Sequence, residues 1–508
     1  MSLSRRQFLF TAAAVTTAWP ATALPQRGDA TPRRFAHGVA SGDPLTDRVV
    51  LWTRVSPPPA TTGPVDVLWT IATDERFASV VGRGTATASA GRDYTVKVDA
   101  GGLQPGRPYF YAFETGGERS PIGRTRTLPA GTVQRTRLAV VSCANYPAGY
   151  FNAYRAVANR ADLDAVVHVG DYIYEFANGR YGDGTASGRI PDRPGEAVTL
   201  EDYRSRYATY RTDVDLQEVH RRHPFVCVWD DHEFANDAWS GGAQNHAAAQ
   251  GDWGMRFAAA RRAYLEWLPI RETRSGELYR RFTFGSLADL LMLDARSLRD
   301  RQLPADDAAF GAPARTMLGA AQERWLFDQL RQSQRANRSW RVLGQQIMFS
   351  PLSPPGGELQ SADFWDGYPV ARDRVFDFLA AERIRDLAIV TGDFHSSWAI
   401  DTARDPWRGY TPTTGAGSSA IELLTPAISS PSLFADAGLK QRVTLLREAS
   451  PHVKLLEGER NGYLLFDLTP KRMQAEWYVV PNVTERSPAE SRAAAFVCEH
   501  GSSHLVPA

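Results

Sequence analysis

The chain has 508 residues, 43% hydrophobic and 23% charged, with a formal net charge of +1. That length exceeds one ordinary core and predicts roughly two to four domains. The near-neutral balance gives no reason to expect nucleic acid or an anionic membrane surface as an electrostatic partner, so function must reside in local sites.

The chain opens with an address label. Ser4 to Phe10 (SRRQFLF) places paired arginines before an Ala-rich apolar run, and Ala21-Thr22-Ala23 supplies the small residues a signal peptidase accepts. The pattern is similar to a bacterial twin-arginine signal. It predicts a leader over 1–23, engagement of the twin-arginine export machinery, and a folded protein delivered to the periplasm or outside the cell. Pro20 and the short apolar run argue against a stable membrane anchor, and no later run reaches spanning length.

From residue 33 to 130, short alternating segments (VVLWTRV, VDVLWTIAT, TVKVDA, PYFYAFET) separated by Gly and Pro turns predict a small N-terminal β-sandwich, fibronectin III-like. The texture then changes. RLAVVS, DAVVHV, PFVCVW, DLLMLD, WRVLG and DLAIVTGD are compact apolar strands. Helical patterns lie between several of them, in YFNAYRAVANRA, DWGMRFAAARRAYLEWL, AAQERWLFDQLRQ and ARDRVFDFLAAERI. Strands this apolar predict an α/β domain of layered sheets flanked by helices over 135–482. The later strands IELLT, GYLLFDL and MQAEWYVV continue it without clear helices between them. In the tail, 483–508, SPAESRAAAFVCEH reads as a helix that could cover the active site.

Three cysteines, Cys143, Cys227 and Cys498, allow at most one disulfide. Cys227, inside FVCVW, reads as simply buried, and its pairing with Cys498 stays open. Cys143 ends a strand and belongs with the polar residues discussed next.

In covered α/β sheets, ligands bind past the carboxyl ends of strands. Four such ends carry unusual residues: Cys143 in VVSCANY, Asp171 and Tyr174 in VHVGDYIYE, Asp230 to Glu233 in VWDDHEFAND, and Asp393 with His395 in IVTGDFHSSW. Singly, each is explained by a capping aspartate or a structural histidine. Together they would be costly in one crevice unless a multivalent cation neutralised them. Carboxylate, imidazole, phenolate and thiolate suit a hard ion such as Fe(III), because a phenol ionises at neutral pH only beside a strong Lewis acid. A second ion sharing a bridging carboxylate would make a phosphate clamp, so phosphoryl hydrolysis is the expected reaction class.

These blocks, with FAHGVASGDPLTDRVVLWTRV ahead of them, resemble the PhoD-type alkaline phosphatases of the calcineurin-like metallophosphoesterase superfamily, related to the purple acid phosphatases. The likeness runs from about residue 33 to 480. It implies iron and calcium, with Mn(II) or Mg(II) as alternatives at the second site. It also implies Asp171 as the bridging ligand, Tyr174 as the iron phenolate and Cys143 in place of an upstream aspartate. Asp231 and Asp393 fall to the second metal, His395 to the iron side, and His232 to the phosphate and leaving group. Asp230 and Asn236 are candidate ligands or supports. Arg155 and Arg296 are candidate phosphate clamps, set against the commoner solvated or structural role of an arginine. The implied function is a secreted metal-dependent phosphoesterase acting on phosphate monoesters, diesters or both through a metal-bound hydroxide, with His232 assisting departure. The alternatives are phospholipase D-type cleavage of phospholipids, an oxidative iron enzyme, and a non-enzymatic secreted binding protein that would not need the four loops to converge.

Overall fold

The computed structural model describes residues 33–58, 63–273, 276–354, 356–435 and 437–508. The twin-arginine leader expected at 1–23 lies outside them. Two large sheets stack face to face. The first has ten strands, with Gly462–Leu468, Thr136–Val141, Ala165–His168, Pro224–Cys227 and Val39–Gly42 side by side at its centre. The second has seven, centred on Ala288–Met292, Trp340–Gly344, Leu387–Thr391 and Ser418–Leu424, all parallel. Between the sheets lies an apolar core of buried side chains such as Val140, Val167, Val226, Leu290, Val390 and Leu423. The expectation of layered sheets is met. Strands buried on both faces are what near-continuous apolar runs produce.

Helices cover the outer faces. Asn152–Asn159, Leu200–Tyr210, Val214–Arg222 and Trp253–Trp267 lie over the first sheet, and Gly319–Arg335 and Pro369–Ala381 over the second. Their starts follow local chemistry. Thr199 and Asp202 form a reciprocal capping box, Asp213 and Asp252 accept backbone N–H bonds, and Pro369 occupies the first turn.

Three expectations need correction. The N-terminal segment does form a two-layer sandwich, in which Val49 and Leu51 pack against Val67, Ile71, Tyr111 and Phe113. It is not a separate body, however. Val39–Gly42 pairs in parallel with Pro224–Cys227, so one sandwich layer continues the large sheet. The buried Asp43–Arg280 ion pair and the Trp52 indole, which donates to the Glu266 carbonyl, seal the join. Second, the tail forms a strand, Ser491–Glu499, antiparallel to Arg472–Val479, with Phe496 and Cys498 turned into the core. An alanine-rich helix preference amounts to tenths of a kcal/mol per residue, and a full backbone ladder plus burial outweighs it. Third, a helix at Ala437–Glu448 stands between two late strands where none was expected.

Candidate metal centre

The parallel strands of both sheets point the same way, so their carboxyl ends open on one crevice. Thr136–Val141 leads to Cys143, Ala165–His168 to Asp171, Pro224–Cys227 to Asp230 and Asp231, and Leu387–Thr391 to Asp393 and His395. Close approach of these ends depends on glycine. Gly170 has φ 119°, and a Cβ there would lie 2.3 Å from the Asp230 Cβ. On Gly392 it would lie 2.8 Å from the Ser142 Cβ, where the two sheets meet. Cys143, Asp171, Asp393 and His395 all take left-handed backbone conformations, with φ of 60°, 57°, 60° and 48°. Each costs about 1–3 kcal/mol, and such residues cluster where function over-determines the backbone.

The donor atoms of Cys143, Asp171 and His395 lie within 4.8 Å of one another, as do those of Asp171, Asp231 and His232, and those of Asp230, Asp231 and Asp393. Asp171 thus belongs to two groups. Tyr174 joins the first: its hydroxyl donates to Asp171 Oδ2 at 2.8 Å and lies 3.1 Å from His395 Nε2. All seven residues expected as ligands or catalyst are therefore brought together. Burial, reinforced by neighbouring acids, pushes the carboxyls of Asp171, Asp230 and Asp393 well above the ordinary carboxylate range, although His232 opposes it at Asp171 and Arg296 at the other two. Burial likewise pushes up the Cys143 thiol and the Tyr174 phenol. Asp231 is held low: burial opposes ionisation there, but Arg296 and His232 outweigh it.

The donor set fits a pair of cations. Asp230 Oδ2 and Asp231 Oδ1 are buried with no hydrogen-bond partner, and a buried carboxylate oxygen without a donor calls for a positive partner. Thiolate, phenolate, imidazole and carboxylate would hold the first ion, and an all-oxygen group the second.

The arginines behave differently from the clamp reading. Arg155 is bound to Asp215 at 2.6 Å, away from the cleft. Arg296 is fully buried and engages Asp230, Asp363 at 2.6 Å and Asp393 at 2.7 Å, with Asp231 at 3.7 Å. It is the counter-charge of the acids. Arg299 shares Asp363 at 2.6 Å, so two guanidiniums face four carboxylates, and acids still outnumber bases around the centre. Asp230 is thus both on Arg296 and within the oxygen-rich group, while Asn236 lines the cleft with its amide donating to Gln244 at 2.7 Å.

Four further residues support the site, and three of them, Glu233, Glu175 and Tyr172, stand in the quoted blocks. Glu233 accepts the backbone N–H groups of Asp171, Tyr172 and Asp230 at 3.1, 2.7 and 2.8 Å, locking two ligand loops together. Glu175 holds His232 Nδ1 at 2.8 Å. Burial opposes protonation of His232, but Glu175, Asp171 and Asp231 carry its pKa well above the ordinary value. Tyr172 is buried with its hydroxyl 2.9 Å from His220 Nε2. Tyr181 sits 3.0 Å from His395 Nδ1 and stacks along His232. Nothing in the local sequence marks Tyr181. The three cysteines are free and buried.

The centre opens into a cleft of about 690 Å³, bordered by Arg180, Tyr181, Phe394, Leu433 and Leu439. Leu439 comes from the helix Ala437–Glu448 and Leu433 from the segment before it, and the C-terminal tail does not line the cleft. Among the described residues, no helix is long and apolar enough to cross a membrane.

Comparison with known proteins agrees with this geometry. The chain is 37% identical over 492 residues to the alkaline phosphatase D of Bacillus subtilis (strain 168), with 93% of this chain and 82% of that protein covered. A solved structure described as that of PhoD superposes with a TM-score of 0.85 at 36% identity, covering 94% of this chain and 93% of that one. Residues 20–129 match the N-terminal domain of the PhoD-like phosphatases, and residues 138–477 match the phosphatase proper. The chain therefore belongs to the PhoD-like phosphatase family.

Proposed function

We infer that the chain is a metal-dependent phosphoric ester hydrolase whose reaction takes place in the cleft above Asp171. The carrying observation is the convergence of three donor groups that share Asp171 and Asp231, with unpartnered buried oxygens among them. Cys143, Tyr174, Asp171 and His395 would hold Fe(III), and Asp171, Asp231 and Asp393, with Asp230 beside them, a calcium ion or its Mn(II) or Mg(II) substitute. Bound there, such ions supply Lewis-acid charge for phosphoryl oxygens and lower the pKa of water.

The chain's own residues do the rest. His232, held at Nδ1 by Glu175 and favoured as the cation, keeps Nε2 to donate a proton to the departing alkoxide. Tyr181 and Phe176 pack beside its ring and fix its plane. Arg180 borders the cleft with no carboxylate partner among the described residues, so it takes the phosphate-contacting role that Arg155 and Arg296 cannot. Both monoesters and diesters fit the volume of the cleft. A second reading, diesters with apolar substituents such as phospholipids, is favoured by Phe394, Pro431, Leu433 and Leu439 along its border. Export by the twin-arginine route remains part of this proposal.

Elemental analysis, a visible spectrum and hydrolysis of chromogenic monoester and diester substrates test the reading. Iron with a broad phenolate band, abolished together with turnover in Asp171→Asn, is the expected result. Full activity in that variant, or unchanged metal content and rate in Cys143→Ala, would overturn the ligand assignment. Vesicles of phosphatidylcholine test the second reading, and loss of export on replacing Arg5 and Arg6 by lysine tests the leader.

A further inference from the structure

Beside the catalytic cleft lies a second one of about 590 Å³, and the two share Asp237 and Gln244 in their walls. Trp239 and Arg301 stand in its lining. Trp239 is fixed by a tight antiparallel bridge: its backbone N–H donates to the Gly242 carbonyl at 2.8 Å, and the Gly242 N–H donates back at 3.3 Å. A Cβ on Gly242 would lie 2.5 Å from Cζ2 of the indole, so only glycine lets the ring lie against this turn. The Arg301 guanidinium rests over that ring, 5.4 Å from its centroid.

Arg301 is exposed, and among the described residues no carboxylate pairs with it. Its neighbours in the chain are not free in this way: Arg296 and Arg299 are both engaged by acids. The acids of the second cleft are Asp237, at the boundary with the catalytic cleft, and Asp363. Both oxygens of Asp363 are covered, Oδ2 by Arg296 at 2.6 Å and Oδ1 by Arg299 at 2.6 Å and Gln302 at 2.7 Å. A guanidinium set on an aromatic face loses little further freedom when it binds, and without an acid partner its donors stay available to an incoming anion.

We propose that the second cleft is an anion subsite, in which Arg301 on its Trp239 platform binds a second phosphate or carboxylate of a substrate whose scissile phosphate occupies the metal cleft. The proposal rests on the phosphoesterase reading and narrows it to esters that carry two anionic groups. Arg180 serves the scissile phosphate of every substrate, whereas Arg301 serves only those with the second anion.

Alkylphosphonates of graded chain length, whose P–C bond is not hydrolysed, provide the test. Calorimetric titration of the metal-loaded full chain compares, at each length, a ligand ending in methyl with one ending in a second phosphonate and one ending in a carboxylate. At the length that spans the two clefts, the doubly anionic ligand is expected to bind about tenfold tighter. Arg301→Gln removes that gain and leaves the methyl-ended affinity unchanged, and Trp239→Leu reduces the gain. The carboxylate and phosphonate arms separate the two kinds of second anion. If no length binds tighter than its methyl-ended counterpart, or if the gain survives Arg301→Gln, the subsite is refuted. Hydrolysis of p-nitrophenyl phosphate and of bis-p-nitrophenyl phosphate, run alongside, keeps the two failures apart: turnover of neither by the wild type refutes the phosphoesterase reading, and turnover without added affinity refutes the subsite alone.

Discussion

Replacing Arg296 by methionine tests how the charge of this centre is balanced. The substitution keeps much of the side-chain volume and removes the guanidinium from Asp230, Asp363 and Asp393. Taking one partner out of a buried ionic group costs about 3–5 kcal/mol. Burial has already pushed the carboxyls of Asp230 and Asp393 up, so these two can take up protons instead of remaining as bare charges. The expectation therefore sits at the lower end, about 3 kcal/mol. An unfolding entropy of about 2.1 cal/mol/K per residue gives roughly 1 kcal/mol per degree for 508 residues, so the melting midpoint falls by about 3 °C. Bound cations replace part of the lost charge, and the fall is smaller in metal-loaded than in chelator-treated protein. Thermal melts of both forms, with KM for a chromogenic ester, decide the matter. An unchanged midpoint with a raised KM would mean that Arg296 clamps substrate phosphate, and would refute the reasoning.

Further outcomes follow from the same geometry. Glu175→Gln weakens the hold on His232 and its charge, and lowers kcat by at least about tenfold with metal content unchanged; wild-type kcat would remove Glu175 from the mechanism. His37 is lowered to about 3 by burial, with Arg54 and Arg211 adding to it, so the folded state keeps it neutral while the unfolded chain protonates below the ordinary 6.5. Its contribution is complete above pH 6.5 and is lost as the pH falls toward the folded value. Relative to His37→Gln, the wild type should lose about 2 kcal/mol in urea unfolding by about pH 5, and a difference independent of pH would contradict this. Truncation after Asn482 removes the strand Ser491–Glu499 and buried Phe496, Cys498 and Leu505. It should lower the melting midpoint by several degrees with no gain on bulky diesters, whereas a stable, faster enzyme on such substrates would restore the tail as a cover for the cleft.

Much of this protein was legible in its sequence. Apolar runs such as DAVVHV, too regular to face water on either side, require covered sheets, and the acids, thiol and phenol that follow them fall at strand ends by chain order alone. That is why Cys143, Asp171, Asp231, Asp393 and His395 stand out in the sequence itself. Residues that act through distant partners were not legible. Glu175 and Glu233 stand inside quoted blocks, but their work is done on His232 and on the backbone of Asp171, Tyr172 and Asp230, which only folding brings near. The setting of Arg296 and the roles proposed for Arg180 and Arg301 likewise depend on which carboxylates surround each guanidinium, and no local pattern encodes that. The tail and the N-terminal layer teach the same lesson for backbone. Ser491–Glu499 is alanine-rich and Val39–Gly42 has only four residues, yet both become strands because a neighbouring edge offers a complete ladder. Local composition thus marked the residues proposed to carry the chemistry, and tertiary structure decided how their charges are balanced, because Coulomb energy and hydrogen bonding depend on distance in space and not on separation along the chain.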